Sequence, residues 1–478
     1  MSSTPHAPEE SAAFAPAVLA SASITTEMLQ RLDVPGPRYT SYPTADRFVD
    51  GFDVADLEAA LRHRATAAAS PPLSLYVHIP FCESVCYYCA CNKVVTRDHG
   101  RVAAYLAALE QEMALYAQAL GARRSISQLH FGGGTPTFLS DAELDRLMAS
   151  LRQAFDIAPG AEMSIEVDPR TVTRQRLAHL AGLGFNRLSF GVQDFDEQVQ
   201  RAVHRLQPHD AVRDLVHAAR EIGFESINMD LIYGLPLQTP ASFTRTIAQV
   251  SALRPDRIAL YAYAHLPQRF KPQRRIHTAE LPPAGDRVQM LGMAISGFLD
   301  HGYDYIGMDH FALPTDALAV AKQQGRLHRN FQGYSTQPDC DLIGLGVSAI
   351  GEMGGCYSQN AKTLPEYYDA LAAGRLPSVR GLNPDGDDRL RRQIIMSLMC
   401  QGRVDLDAIE RQHRIDTRLY FFDELVRLQG LAEKGLVDFS DGVVTVTRTG
   451  WFFVRAVAMV FDRHLHVARD SERFSRIV

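Results

Sequence analysis

The chain has 478 residues, 46% hydrophobic and 22% charged, which is enough apolar material for a soluble core. A formal charge of −6 excludes a general nucleic-acid binder, because such a protein carries a net basic surface. No apolar run reaches the ~18 residues of a membrane helix.

The N-terminus is Ala-rich and carries Glu9 and Glu10 instead of the basic opening of a secretory signal, so it reads as a disordered tail. Further along, six β-type segments occur at 74–79, 128–131, 163–167, 187–191, 226–232 and 257–263. Each ends in a polar residue or a glycine turn, and helix-like sequence follows. The stretches 102–120, 141–155, 210–222 and 242–253 place apolar residues three and four apart, as core-facing helices require, and Ser140 is set to cap the second. Strand alternating with helix implies right-handed units on a parallel sheet. An open doubly wound sheet and a partial barrel both satisfy that pattern. A partial (β/α)6 barrel of TIM type is preferred, because Glu166, Gln193 and Asp230 fall at strand ends, where barrels place active sites.

Four regions are expected: an N-terminal extension over 1–50, the barrel over 51–300, a barrel-covering segment over 301–375 and a C-terminal domain over 376–478. The last reads as mostly helical with a hairpin, 437–439 and 443–446 flanking Ser440-Asp441-Gly442. That pattern is winged-helix-like, but its charge is mixed, so it reads as a lid or packing domain.

Of the seven cysteines, Cys82, Cys86, Cys89 and Cys91 fall within ten residues, whereas Cys340, Cys356 and Cys400 are scattered. A disulfide framework would distribute its cysteines over a small secreted domain. The cluster points to metal and a reducing, cytoplasmic setting. Soft thiolates select iron–sulfur clusters, zinc or copper(I), and structural zinc would need a second ligand pair that is missing here. Three thiolates at x3–x2 spacing on a four-iron cluster leave one iron open to an outside ligand. Cys91 could replace one ligand, stay free or face the substrate.

Gly132-Gly133-Gly134-Thr135-Pro136 follows the second strand, where glycines let backbone approach a ligand. Tyr88 could cover an adenine ring or the cluster. Arg205 could pair with a carboxylate in bidentate fashion or sit exposed on a helix. The run Arg269, Lys271, Arg274, Arg275 is a solvated loop or a dock for a polyanionic small molecule.

These residues resemble the radical S-adenosylmethionine superfamily and, within it, the family of oxygen-independent coproporphyrinogen III oxidases. The resemblance runs from about Tyr39 to Val478. It rests on Pro37-Arg38-Tyr39-Thr40-Ser41-Tyr42-Pro43-Thr44-Ala45, on Tyr76-Val77-His78-Ile79-Pro80-Phe81-Cys82 and on the Cys86-x2-Cys89-x-Cys91 ending. It also includes Asn330-Phe331-Gln332-Gly333-Tyr334 and Gly344-Leu345-Gly346-Val347-Ser348-Ala349-Ile350. The resemblance implies one 4Fe-4S cluster held by Cys82, Cys86 and Cys89, and two S-adenosylmethionine molecules. The first would contact Tyr76, Gly133, Glu166 and Ile350; the second Tyr88, Gly134, Thr135, Gln193, Arg205, Asp230 and Ala264. Tyr88 stands where many relatives have phenylalanine.

The implied reaction converts two propionates of coproporphyrinogen III to vinyl groups in haem biosynthesis, through hydrogen abstraction by a 5′-deoxyadenosyl radical. Cys91 and Tyr39 are the implied catalytic residues, and Arg38 and the basic loop have substrate carboxylates to hold. A one-electron donor of flavodoxin type, a monomer and a cytoplasmic location complete the expectation, with no nucleic acid and no membrane span. A haem-trafficking relative is disfavoured because Cys91 and the 38–42 segment are both present. An electron-transfer module would fill all four iron positions.

Overall fold

A computed structural model describes residues 36–465, apart from 53, 123, 309 and 338–339. The N-terminal tail and Pro35 lie outside the described residues. Six strand–helix units follow the expected order. The strands are β1 (Leu73–Ile79), β2 (Ser125–Gly133), β3 (Asp156–Val167), β4 (Arg187–Gln193), β5 (Ser226–Tyr233) and β6 (Arg257–Ala262). The principal helices after them are α1 (Gly100–Leu120), α2 (Asp141–Ala154), α3 (Arg174–Gly182), α4 (His209–Ile222), α5 (Pro240–Leu253) and α6 (Ala284–Asp300).

Each neighbouring pair from β1 to β6 is parallel. In β1, Leu73, Leu75, Val77 and Ile79 are fully buried, and Ser74 on the other face is buried too. Burial on both faces is what helix-covered parallel strands require. Each such aliphatic side chain contributes about 2 kcal/mol. The helices start where local chemistry starts them. Ser140 and Glu143 form a reciprocal capping box at α2, which satisfies two otherwise unpaired N–H groups. Thr239 and Ser242 do the same for α5, with Pro240 supplying a pre-set first position.

The expected barrel-covering segment needs correction, because part of 301–375 belongs to the sheet itself. β7 (Asp341–Leu345) pairs parallel to β1 on its free edge, making a seventh parallel strand. Ile350–Met353, Cys356–Asn360, Ser378–Leu382 and Val49–Asp50 continue antiparallel beyond it. On the opposite side, His310–Ala312 and Asp304–Gly307 extend the sheet from β6. Among the described residues the sheet has thirteen strands and two free ends, so the barrel stays open. After Asp341, β7 is an apolar run with no period-2 signature, and this is why the sequence alone did not separate it from covering structure.

The C-terminal region is helical around a three-stranded sheet. The expected hairpin forms between Val437–Ser440 and Val443–Val446, and Arg403–Asp405 adds a third strand. Among the described residues, no helix is long and apolar enough to cross a membrane.

Candidate active site

The cysteine loop springs from the C-terminal end of β1 and is closed by its own short parallel ladder. Phe81–Cys82 pairs with Val94–Val95. Three further bonds hold it from outside: Tyr87 N–H donates to the Val203 carbonyl at 3.0 Å, His204 Nδ1 lies 2.9 Å from the Val85 carbonyl, and Gln273 Nε2 donates to the Tyr88 carbonyl at 3.0 Å. Within the loop, Lys93 Nζ donates to the Cys89 carbonyl at 3.2 Å. The loop is therefore fixed by its neighbours on two sides, as preorganised ligands require.

The glycine run of β2 serves this packing as well as any ligand. A Cβ on Gly134 would sit 2.8 Å from the Pro80 and Phe81 backbone, and one on Gly132 would meet Glu166 and Tyr76. Gly133 has φ +116°, which favours glycine. The three N–H groups are already used: Gly133 donates to Glu166 Oε2 at 3.2 Å, Gly134 to the Ile79 carbonyl and Thr135 to that of Phe81. Thr135 Oγ1 also lies 3.5 Å from Cys82 Sγ.

A cavity of about 520 Å³ opens over the strand ends. Cys82, Cys86, Cys89, Cys91, Tyr88, Gly133, Gly134, Thr135, Glu166, Gln193, Arg205 and Asp230 all line it. Gln193 reaches it through a break in the β4–β5 register, in a left-handed conformation with φ 68°. Asp230 accepts from Ser189 at 3.0 Å and from Asn228 at 2.9 Å. Burial, with the charge of Glu166 added, pushes its carboxyl up to about 6.

Arg205 is buried beneath the cysteines. Its Nε and Nη2 donate to the Gly191 carbonyl, and its Nη1 contacts Asp168 Oδ2 at 3.1 Å and Cys86 Sγ at 3.5 Å. Arg170 grips the same Asp168 with Nε and Nη2, and lies 3.7 Å from Cys86. Burial alone would raise Asp168, but Arg170 and Arg205 outweigh it and hold the carboxyl below its ordinary range. Asp168 and Arg170 were missed in the sequence, although the strand-end rule that selected Glu166 also covers them: Asp168 directly follows β3. Cys91 and Cys89 stand side by side. A hydrogen bond between the two thiols pulls Cys89 down and pushes Cys91 up.

Residues 76–250 match the Radical SAM superfamily and residues 385–453 the HemN C-terminal domain. The chain is 48% identical to the oxygen-independent coproporphyrinogen III oxidase of Pseudomonas aeruginosa, over 95% of this chain and 98% of the relative. The Escherichia coli enzyme of that name is 48% identical over 94% of this chain and 98% of its own. The solved structure of the Escherichia coli coproporphyrinogen III oxidase, described as a radical SAM enzyme, superposes with TM-score 0.86 over 90% of this chain and 98% of that one. This chain belongs to the oxygen-independent coproporphyrinogen III oxidase family.

A coproporphyrinogen III oxidase of this family requires a four-iron cluster, and the donor set fits one. Three thiols come from one clamped loop, and two guanidiniums approach the Cys86 sulfur. Among the described residues, no three His, Cys, Asp or Glu groups converge as a single metal ion would need. Three soft thiolates from one loop are donors that an iron–sulfur cluster takes.

Four residues implied by the family resemblance stand off the cavity wall. Tyr76 lies just behind it, its ring beside Gly132 and stacked 5.9 Å from His130. Ile350 sits two strands away from Tyr76, its carbonyl against Gly344, which is in register with Tyr76. The Ala264 carbonyl accepts from Gln273, the residue that also holds the Tyr88 carbonyl. Tyr39 is the exception. It is 0% exposed, does not line the cavity, and donates its hydroxyl to Asp462 at 2.9 Å. That placement makes it a strut between the N-terminal segment and the C-terminal region, away from the cavity in which its expected catalytic role would act. The run Arg269, Lys271, Arg274, Arg275 also lies outside the cavity lining.

Proposed function

We propose that this chain oxidatively decarboxylates two propionates of coproporphyrinogen III to vinyl groups, giving protoporphyrinogen IX without oxygen. The observation that carries the reading is the convergence of the clamped cysteine loop, the glycine run, Glu166, Gln193 and Asp230 on one cavity at the ends of parallel strands. Full-length identity to coproporphyrinogen III oxidases supports it.

Cys82, Cys86 and Cys89 would hold one 4Fe-4S cluster, and the cavity would take two S-adenosylmethionine molecules. The cluster and S-adenosylmethionine together supply the 5′-deoxyadenosyl radical that removes a hydrogen from the propionate carbon next to the ring. The chain's own residues bind and orient. Glu166 and Asp230 accept from ribose hydroxyls or an amino group, and Gln193 can both donate and accept. Tyr88, packed against a small apolar cluster that includes Val203 and Ile276, offers an aromatic face for an adenine. Arg205, anchored on Asp168 and Gly191, adds a fixed cation. Cys91, beside Cys89, is free to meet the substrate. A monomeric enzyme in the cytoplasm, reduced by a flavodoxin-type carrier, fits the reaction, which takes one electron from outside for each S-adenosylmethionine cleaved and gives up one electron to an outside acceptor with each carbon dioxide lost.

The test is anaerobic turnover of the reconstituted, reduced protein. Two 5′-deoxyadenosines should be released per protoporphyrinogen IX formed. Tight haem binding with no 5′-deoxyadenosine would overturn the reading.

A further inference from the structure

Beside Tyr261, which lines the cavity, lies a group of cations of which the family resemblance concerns only Arg38. Arg329 sits on the strand His328–Asn330, opposite Tyr334 of the hairpin partner Gly333–Ser335. It is only 5% exposed. Its Nε donates to the carbonyl of Arg38 at 3.3 Å, and its guanidinium carbon stands 4.5 Å over the Tyr334 ring. Its Nη1 is buried with no hydrogen-bond partner among the described residues. A guanidinium stays charged at any pH a protein survives, so burial leaves a cost that an anion would remove.

Arg38 belongs to the same group. Its guanidinium carbon lies 5.4 Å from the centre of the Tyr261 ring, and Tyr261 lines the cavity. His310 completes the enclosure, its ring edge-on to Tyr261 at 6.0 Å and to Tyr334 at 5.5 Å. Burial, followed by the charges of Arg329 and Arg38, pulls His310 down to about 3. It therefore remains neutral, and the charges of both arginines add to the effect of burial. A purely structural part for Arg329 accounts for its Nε and its stacking, but leaves Nη1 without purpose.

We propose that Arg329 and Arg38, behind the Tyr261 wall of the cavity, form a carboxylate subsite that takes a propionate of the tetrapyrrole substrate. The proposal rests on the coproporphyrinogen reading above and adds the residues that recognise the substrate's anionic arms. A guanidinium fork matches the two oxygens of a carboxylate, and in a partly dry site such a bond is stronger than in water.

The experiment uses the full chain with its cluster reconstituted, and coproporphyrin III as the probe: an oxidised, unreactive tetrapyrrole with the same four carboxylates. Binding is followed by porphyrin fluorescence beside the uncharged tetramethyl ester. Arg329→Gln is expected to weaken coproporphyrin III at least tenfold and to leave the ester unchanged. Arg38→Gln, at a half-buried position, should do the same and carries the test if Arg329→Gln fails to fold. Cluster absorbance and S-adenosylmethionine affinity should stay at the unsubstituted level. Unchanged coproporphyrin affinity in both variants would overturn the subsite, and so would equal losses for acid and ester, which signal lost packing. Failure of the unsubstituted protein to bind coproporphyrin III or to turn over would instead remove the functional reading beneath it.

Discussion

The Nη1 atom of Arg205 stands 3.5 Å from the sulfur of Cys86 while the same atom pairs with Asp168 at 3.1 Å. Arg170, clamped on the other side of Asp168, brings a second guanidinium to within 3.7 Å of that sulfur. Donors and positive charge at a ligating sulfur stabilise the reduced, more negative cluster. Arg170→Gln should therefore move the midpoint potential to more negative values by an amount on the order of tens of millivolts. A redox titration with visible or electron paramagnetic resonance detection measures it, and an unchanged potential refutes the link.

Under the proposed assignment the cysteines separate by role. Cys82→Ala, Cys86→Ala and Cys89→Ala should each abolish the four-iron spectrum of anaerobically reconstituted protein. Cys91→Ser should retain the spectrum and lose turnover. Loss of the cluster in the Cys91 variant would place that sulfur among the ligands.

Asp230 gives the ligand-free protein a pH dependence. Its folded carboxyl, raised to about 6, binds a proton more tightly than the ordinary carboxyl of an unfolded chain. The group's contribution is fully present below the ordinary value near 3.8, and is lost as pH rises through about 6. Asp230→Asn should therefore stabilise the ligand-free protein by about 3 kcal/mol at pH 8, with little gain at pH 4. Thermal unfolding at both pH values decides it. The same variant should bind S-adenosylmethionine more weakly, because a carboxylate acceptor is lost.

Gly134 has no room for a methyl group, whereas Gly182 at the end of α3 has nothing within 4 Å. Gly134→Ala should displace the start of the cysteine loop and lower the iron content after reconstitution. Gly182→Ala should leave iron content intact and stabilise by up to about 1 kcal/mol. Equal iron content in both would show that the glycine run does not position the loop.

Tyr39→Phe removes the hydroxyl that Asp462 accepts in a fully buried place. A stability loss of about 1–3 kcal/mol is expected, with kcat close to that of the unsubstituted enzyme. A large fall in kcat at unchanged stability would restore Tyr39 to the chemistry.

The sequence by itself determined the parallel-sheet units, the cysteine loop and the strand-end residues Glu166, Gln193 and Asp230. Those signals are local: a 3.6-residue period, a capping box at Ser140 and Glu143, and thiols spaced within one loop. What only the tertiary structure decided was pairing between distant segments. β7 joins the free edge of β1 from 268 positions away in register, Leu73 opposite Asp341, although its apolar run has no distinctive period. Arg329 meets the carbonyl of Arg38 across 291 positions, and Tyr39 meets Asp462 across 423. Whether a buried arginine or tyrosine is a strut or a binding group depends on which polar atoms its neighbours leave unsatisfied. Asp462 satisfies Tyr39, and nothing described satisfies Arg329 Nη1. That difference arises only once the chain has folded.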